Sequence, residues 1–317
     1  MRKLYLPVIL LAAWASAAAQ QEQQYTQFMF NKLAYNPAYA GTFESPTLTA
    51  VYRNQWMGID GAPQTQILSY NQRAAANRLG VGANLVRNTV GISRTITLDV
   101  PYSYRIPLRR GVLGIGLQFN IRQLYQNWAD PRLNPSQKFD NAIPTDAQNK
   151  LLVNFGVGIF YSGYKWFGGV ALPRIKDNNI DFSDLEGVIS REVRHFNAMG
   201  GMTFTPTSEV SITPQMLLKY VPGAPFDADL NVSVLLKDKF YGGLTYRTGG
   251  DTNGVGESVD VLLGMQATEN LFFCLSYDIG LTRLRKYNSG SVEATLRWWF
   301  NPPAPEGTER VDPGRPW

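Results

Sequence analysis

Residues 112–122 read VLGIGLQFNIR. Leu113, Ile115, Leu117, Phe119 and Ile121 form one side of this stretch, and Gly114, Gly116, Gln118, Asn120 and Arg122 form the other. Strict alternation is the period of a strand, not of a helix. The pattern recurs. In 151–161, Leu151, Val153, Phe155, Val157 and Ile159 oppose Asn154, Gly156 and Gly158. In 291–300, Val292, Ala294, Leu296, Trp298 and Phe300 oppose Ser291, Glu293, Thr295 and Arg297. Residues 210–220 and 259–267 behave alike. A soluble sandwich also alternates. Here the apolar side is long and has aromatics at its ends (Tyr102, Tyr104, Phe204, Tyr246, Trp298, Phe300), as expected where a lipid-facing band meets headgroups. The polar sides, rich in Gly, Asn and Thr, suit a crowded or wet lumen.

About 14 such segments follow one another, an even number as bacterial barrels require. They begin near Leu48, Gln64, Leu79, Ile92, Val112, Leu151, Tyr164, Arg194, Glu209, Asp227, Phe240, Ser258, Leu271 and Ser291. Connections after even-numbered segments are mostly short: 106–111, 162–163, 206–208, 237–239 and 268–269, with 72–77 slightly longer. The long ones, 123–150 and 172–193, follow odd-numbered segments. Short periplasmic turns alternating with long outer loops give that asymmetry, and an even count places both termini in the periplasm. The fold expected is all-β, a transmembrane antiparallel β-barrel over residues 47–300.

Composition agrees. Charged residues are 17% of the 317, aromatics reach 12%, and there are 29 glycines. Mean hydropathy is −0.20, which excludes a helical membrane protein. The formal charge is +5. Setting aside Arg2 and Lys3 leaves +3, too slight a bias to argue for nucleic acid. One cysteine, Cys274, allows no internal disulfide, and one histidine excludes a His-rich zinc site.

Arg2 and Lys3, the apolar run 4–14 and Ala17-Ala18-Ala19 make a signal-peptide pattern, with cleavage expected after Ala19. The apolar run is shorter than the roughly 20 residues a spanning helix needs. Residues 20–46 then form a dense aromatic and polar block, too irregular for a clean helix or strand. They are expected as an N-terminal periplasmic or plug-like segment that the later strands enclose. About 14 strands leave more lumen than side chains alone fill. Residues 301–317, NPPAPEGTERVDPGRPW, are Pro-rich, cannot pair as a strand, and are expected as a periplasmic tail. A docking peptide is the sharper reading of that tail.

Asn36-Pro37-Ala38-Tyr39-Ala40-Gly41, Tyr52-Arg53-Asn54-Gln55-Trp56 and Gly61-Ala62-Pro63 resemble the N-terminal signature of the PorP/SprF proteins of the type IX secretion system of Bacteroidetes. Gly80-Val81-Gly82, Tyr102–Arg105, the block 212–247, Ser276-Tyr277-Asp278 and the closing GSVEATLRWWF continue the resemblance through nearly all of the chain. It implies an outer-membrane barrel acting in secretion, or in surface attachment of cargo and gliding adhesins. The implied partners are the periplasmic ring lipoprotein, its companions, secreted cargo or surface adhesin, and outer-membrane lipid. The tail after the closing strand departs from the family pattern.

Each motif has a plainer reading. Asn36-Pro37 sets a turn, because the residue before proline avoids the helical region, and Tyr39 would then be a buried anchor. Asp99, Arg105, Arg122, Arg247, Asp260, Asp278, Glu293 and Arg297, with Arg53, fall on inward faces. They make either a polar pathway or a set of ion pairs packing the lumen, and the second is favoured because unpaired buried charge is costly. His195 has no partner assignable by spacing, so no catalytic role is assigned. No cofactor or metal is expected. Residues 251–254 with Glu257 fail the calcium-loop spacing. The Gly-x-Gly pairs at 80–82, 114–116 and 156–158 lie within strands and precede no helix, so they are small residues on a crowded inner face rather than phosphate loops. The alternative function is a channel for small hydrophobic compounds of the fatty-acid-transporter type, which would need an apolar cavity behind the plug.

Overall fold

The computed structural model describes residues 24–75, 77–130, 146–182, 191–249 and 256–300. The expected signal peptide, the Pro-rich tail and the loop 251–254 lie outside them. The strands are β1 (Thr47–Asn54), β2 (Gln64–Ala74), β3 (Leu79–Val90), β4 (Ser93–Leu108), β5 (Gly111–Asn127), β6 (Ala147–Gly163) and β7 (Trp166–Leu172). Next come β8 (Phe196–Met202, resumed as Phe204–Thr207), β9 (Val210–Tyr220), β10 (Asp227–Leu236) and β11 (Phe240–Thr248). The last are β12 (Ser258–Thr268), β13 (Leu271–Gly280) and β14 (Ser291–Trp299). The two pieces of β8 both pair with β9 and are one strand broken at Thr203.

Neighbours in sequence pair antiparallel all the way round, and the sheet closes when β14 meets β1 from Thr47↔Trp299 to Asn54↔Val292. A closed sheet has no free edge, so every backbone ladder in the apolar layer is satisfied. The widest disagreement in strand starts is the sixth, Ala147 against the expected Leu151. The ladder there continues four residues past the point where alternation in side-chain character stops.

The alternating residues separate as expected. In β5, Gln118 and Asn120 are buried, while Leu117 is 64% exposed. Leu151 and Leu263 expose 66% and 68% on the outside of β6 and β12. An apolar patch that encircles the molecule far exceeds what a soluble monomer exposes, and it marks a lipid-facing belt. Tight turns close one end. Lys237 and Asp238, both at positive φ, link β10 to β11 in the turn geometry that suits a twisted hairpin. The longer connections gather at the other end, the arrangement in which the usual asymmetry would make the short-turn end the periplasmic one. β1 starts and β14 ends at the short-turn rim, and the even count requires that they share one rim.

Candidate functional site

The lumen is filled from within. Residues 24–46 form three short 3-10 turns, Phe28–Phe30, Lys32–Ala34 and Pro37–Tyr39, and almost all of their side chains are buried. Phe28, Phe30, Tyr39 and Ala40 are at most 2% exposed. Asn36 caps the third turn, its Oδ1 accepting from Ala38 N at 2.9 Å. Its Nδ2 donates to the carbonyls of Ile159 (3.0 Å) and Val170 (3.3 Å) on the adjoining β6 and β7. Tyr39 packs edge-on against Phe160 and Phe43, with ring centroids 5.1 and 5.9 Å apart. The motif is a capped turn whose capping residue also fastens it to the wall.

The inward glycines are cut-outs for that object. A Cβ on Gly80 would collide with the Ala40 carbonyl, one on Gly116 with Ala38 N, and one on Gly158 with Asn36 Oδ1. One on Gly114 would stand 2.6 Å from the Ala38 oxygen. Backbone passing this close to a strand needs residues without side chains. Gly41 has φ +74 and donates its N–H to Asn71 Oδ1 (2.6 Å), turning the chain toward β1. Beside it, Arg73 reaches the carbonyls of Gly41 (2.9 Å) and Thr42 (2.7 Å).

The charged inward residues do not form one continuous path. They fall into separate groups. At the loop-side end, Arg53 bridges Asp278 (2.7 Å) and Glu293 (3.0 Å). The Glu293 carboxylate also accepts the backbone N–H groups of Thr26 and Gln27, each at 2.9 Å. Thr26 Oγ1 donates to Asp278 at 2.8 Å. Arg247 pairs with Asp229 (2.5 Å), with Asp260 farther off at 3.9 Å, and Lys219 reaches Asp227 and Asp229 at 3.0 and 2.9 Å. Removing one partner from so buried a pair would cost about 3–5 kcal/mol. On the opposite wall Arg122 meets Glu192 at 2.7 Å, and Asp99 accepts from Asn120. Near the short-turn rim Arg105 lies against Gly41. Arg297 stacks over Phe43 (4.8 Å) and Phe30 (5.7 Å) and donates to Thr49 and to the Phe30 carbonyl.

Other residues of the signature lie elsewhere. Tyr52 faces outward and is 44% exposed, while Arg53 beside it is 2% exposed. Trp56 and Gly61 take positive φ in the β1–β2 loop, and Pro63 accepts from Gln55 N at 2.9 Å. Asp227, Asp229 and Lys219 were findable, since all three occupy the inward register of β9 and β10. Glu192 and Arg174 carry no periodic signal, because they belong to the β7–β8 loop. Residues 173–178 and 192 of that loop lie against the inner side of β6. Burial would raise the Glu192 carboxyl, but Arg122, Arg174, Asn178 and Asn154 together hold it below the ordinary value. His195 Nδ1 donates to the Val193 carbonyl at 2.9 Å, and among the described residues no seryl or carboxylate oxygen is hydrogen-bonded to its ring. Burial, with the charge of Arg174, pushes its pKa down to about 4. Cys274 is inward and fully buried, a packed thiol.

At the loop-side mouth a cavity of about 240 Å³ opens between Arg53, Trp56, Arg247, Glu257, Asp278 and Arg285. Most of the residues that line it are charged or polar, and Trp56 and Leu284 add apolar surface. No metal-ligating cluster occurs among the described residues.

Solved structures with this fold include the toluene transporter TbuX of Ralstonia pickettii, 9% identical with a TM-score of 0.52, covering 86% of this chain and 94% of that one. The monoaromatic hydrocarbon channel CymD is 11% identical with a TM-score of 0.50, covering 87% of this chain and 93% of that one. At such identities the likeness is one of fold, and the fold is an outer-membrane barrel. A search for curated relatives finds no match. The model of the family described as type IX secretion system membrane protein PorP/SprF matches residues 17–298. The motif residues, the closed 14-stranded barrel and this match agree: the chain belongs to the PorP/SprF family of type IX secretion system membrane proteins.

Proposed function

We propose that the protein is a non-enzymatic anchor or adaptor in the outer membrane. It joins the periplasmic secretion machinery, through the ring lipoprotein and its companions, to secreted cargo or a surface adhesin such as one used in gliding. The observation that carries this reading is the occupied lumen. Residues 24–46 and two buried ion-pair groups take up the interior, which supports contact at the two ends rather than passage through the middle. The short turns and the expected tail, 301–317, would meet the machinery, after removal of the leader at Ala19. The long loops would meet cargo.

The second reading is a channel for small hydrophobic compounds, the class named for TbuX and CymD. It needs an apolar route, whereas the mouth cavity here is lined by Arg53, Arg247, Glu257 and Asp278. Affinity purification from outer membranes, followed by mass spectrometry, tests the adaptor. Recovery of the ring lipoprotein and secretion components is expected. Recovery of none of them, together with saturable toluene uptake by vesicles holding the protein, would replace the adaptor with the channel.

A further inference from the structure

The outside of the barrel changes character abruptly over β2–β6. Strand register aligns the outward residues in rungs. One rung is Leu68, Leu85, Leu98, Ile121 and Val153, all aliphatic. The next rung toward the loop side is Gln66, Arg87, Ile96, Gln123 and Leu151. The rung after that is Gln64, Thr89, Arg94, Tyr125 and Asn149, with no aliphatic residue left. Hydrocarbon therefore gives way to headgroups within about 13 Å along the strands, the rise of four residues.

Two arginines stand in that narrow layer. Arg87 pairs with Ile96 and Arg94 with Thr89, so they are diagonal neighbours on one face. Both are exposed. Arg94 lies over the Tyr125 ring at 4.6 Å, and neither arginine has an ion pair among the described residues. No carboxylate occurs in either rung. Elsewhere on the loop-side rim apolar or aromatic side chains reach the strand ends, as Tyr220, Phe226, Tyr246 and Ile279 do. The basic pair is therefore local. β4, β5 and β6 have 16, 17 and 17 residues, against the roughly 9–11 that a tilted strand needs to span, so this wall continues beyond the hydrocarbon.

We propose that Arg87 and Arg94 hold the phosphate of an outer-leaflet glycolipid against the outside of the β3–β5 wall. Two guanidinium groups offer a phosphate the forked donors it accepts best. The Tyr125 ring steadies one of them, and the side-chain amides of Gln66 and Gln123 supply neutral donors for the attached sugar. An anionic headgroup is the occupant because the pair sits at the boundary rung rather than out on a loop.

The test uses full-length protein extracted in mild detergent and examined by native mass spectrometry, with heat-modifiable gel mobility as the check of folding. The protein is expected to carry a phosphorylated glycolipid, and Arg87→Gln/Arg94→Gln protein roughly tenfold less of it. Thr89→Asp, which sets a carboxylate between the arginines and leaves them in place, should lose it as well. Phosphatidylcholine vesicles doped with lipid A, or with the same lipid A dephosphorylated, separate lipid from free anion. Binding should require the lipid-borne phosphate and survive millimolar inorganic phosphate. Equal retention by the variants, equal binding of dephosphorylated lipid A, or displacement by inorganic phosphate alone would overturn the proposal.

Discussion

Gly80 and Gly116 show what single positions decide in this molecule. A methyl group at either would strike the backbone of Ala40 or Ala38, and neither strand nor segment has room to yield. Gly80→Ala or Gly116→Ala should cost about 1–3 kcal/mol. The loss should fall mainly on seating of the N-terminal segment. Trypsin should then cut at Lys32, 5% exposed in the native protein, while the barrel keeps its heat-resistant gel mobility. Gly242→Ala, where an added Cβ meets nothing within 4 Å, should behave as wild type. The sequence shows these glycines to be inward and small. What stands opposite them is hidden, because Ala38 and Ala40 are far away along the chain. Separation along the chain likewise hides what Glu293 holds, for the Thr26 amide it accepts from is 267 residues away. Alternation says which way a side chain points and is silent on which strand across the lumen it meets.

The β7–β8 loop is the element whose behaviour should change most with pH. His195 is held neutral, with its pKa depressed to about 4 by burial and by Arg174 and Arg122 nearby, against a partial opposing pull from Glu192. Below its ordinary value of 6.5 the opened loop takes up the proton first. The closed loop therefore loses stability as pH falls from 6.5 toward 4, by about 3 kcal/mol at most. Glu192 adds in the same direction at the acid end, since its carboxyl is held low when the loop is closed. Hydrogen exchange of Ile175 and Lys176, whose amides are bound to Asn154, should accelerate across that window. His195→Gln should flatten the response between pH 6.5 and 5. Nothing periodic marks this loop, and the sequence shows it only as a long connection. The strands were legible for the opposite reason: lipid on one side and a packed lumen on the other impose a period of two on every wall segment.

For the molecule as a whole, orientation is the expectation to check. Gln24 donates to Asp227 at 2.6 Å, and Asp227 begins β10 at the long-loop end. The chain thus reaches the described part of its path at one mouth and starts β1 at the other. If the short-turn end is the periplasmic one, the N-terminal segment meets the periplasm where it joins β1, and Gln24 stands at the opposite mouth. The reason is that Gln24 and Thr26 find their acidic partners, Asp227, Asp278 and Glu293, only at the loop-side ends of the strands. In a Cys274→Ala background, Gln24→Cys should react with a membrane-impermeant maleimide added to intact cells. Ser208→Cys, in the short β8–β9 turn, should react only after the outer membrane is opened. The reverse pattern would mean that the barrel sits the other way up.

Arg53 belongs to the first strand and Glu293 to the last, and both grip Thr26, which precedes them all. Seating Thr26 and joining β1 to β14 therefore stabilise one another, since the same two side chains serve both. A barrel that zipped shut empty would have to draw this segment in through a mouth and thread it the length of the lumen before Thr26 could meet these side chains.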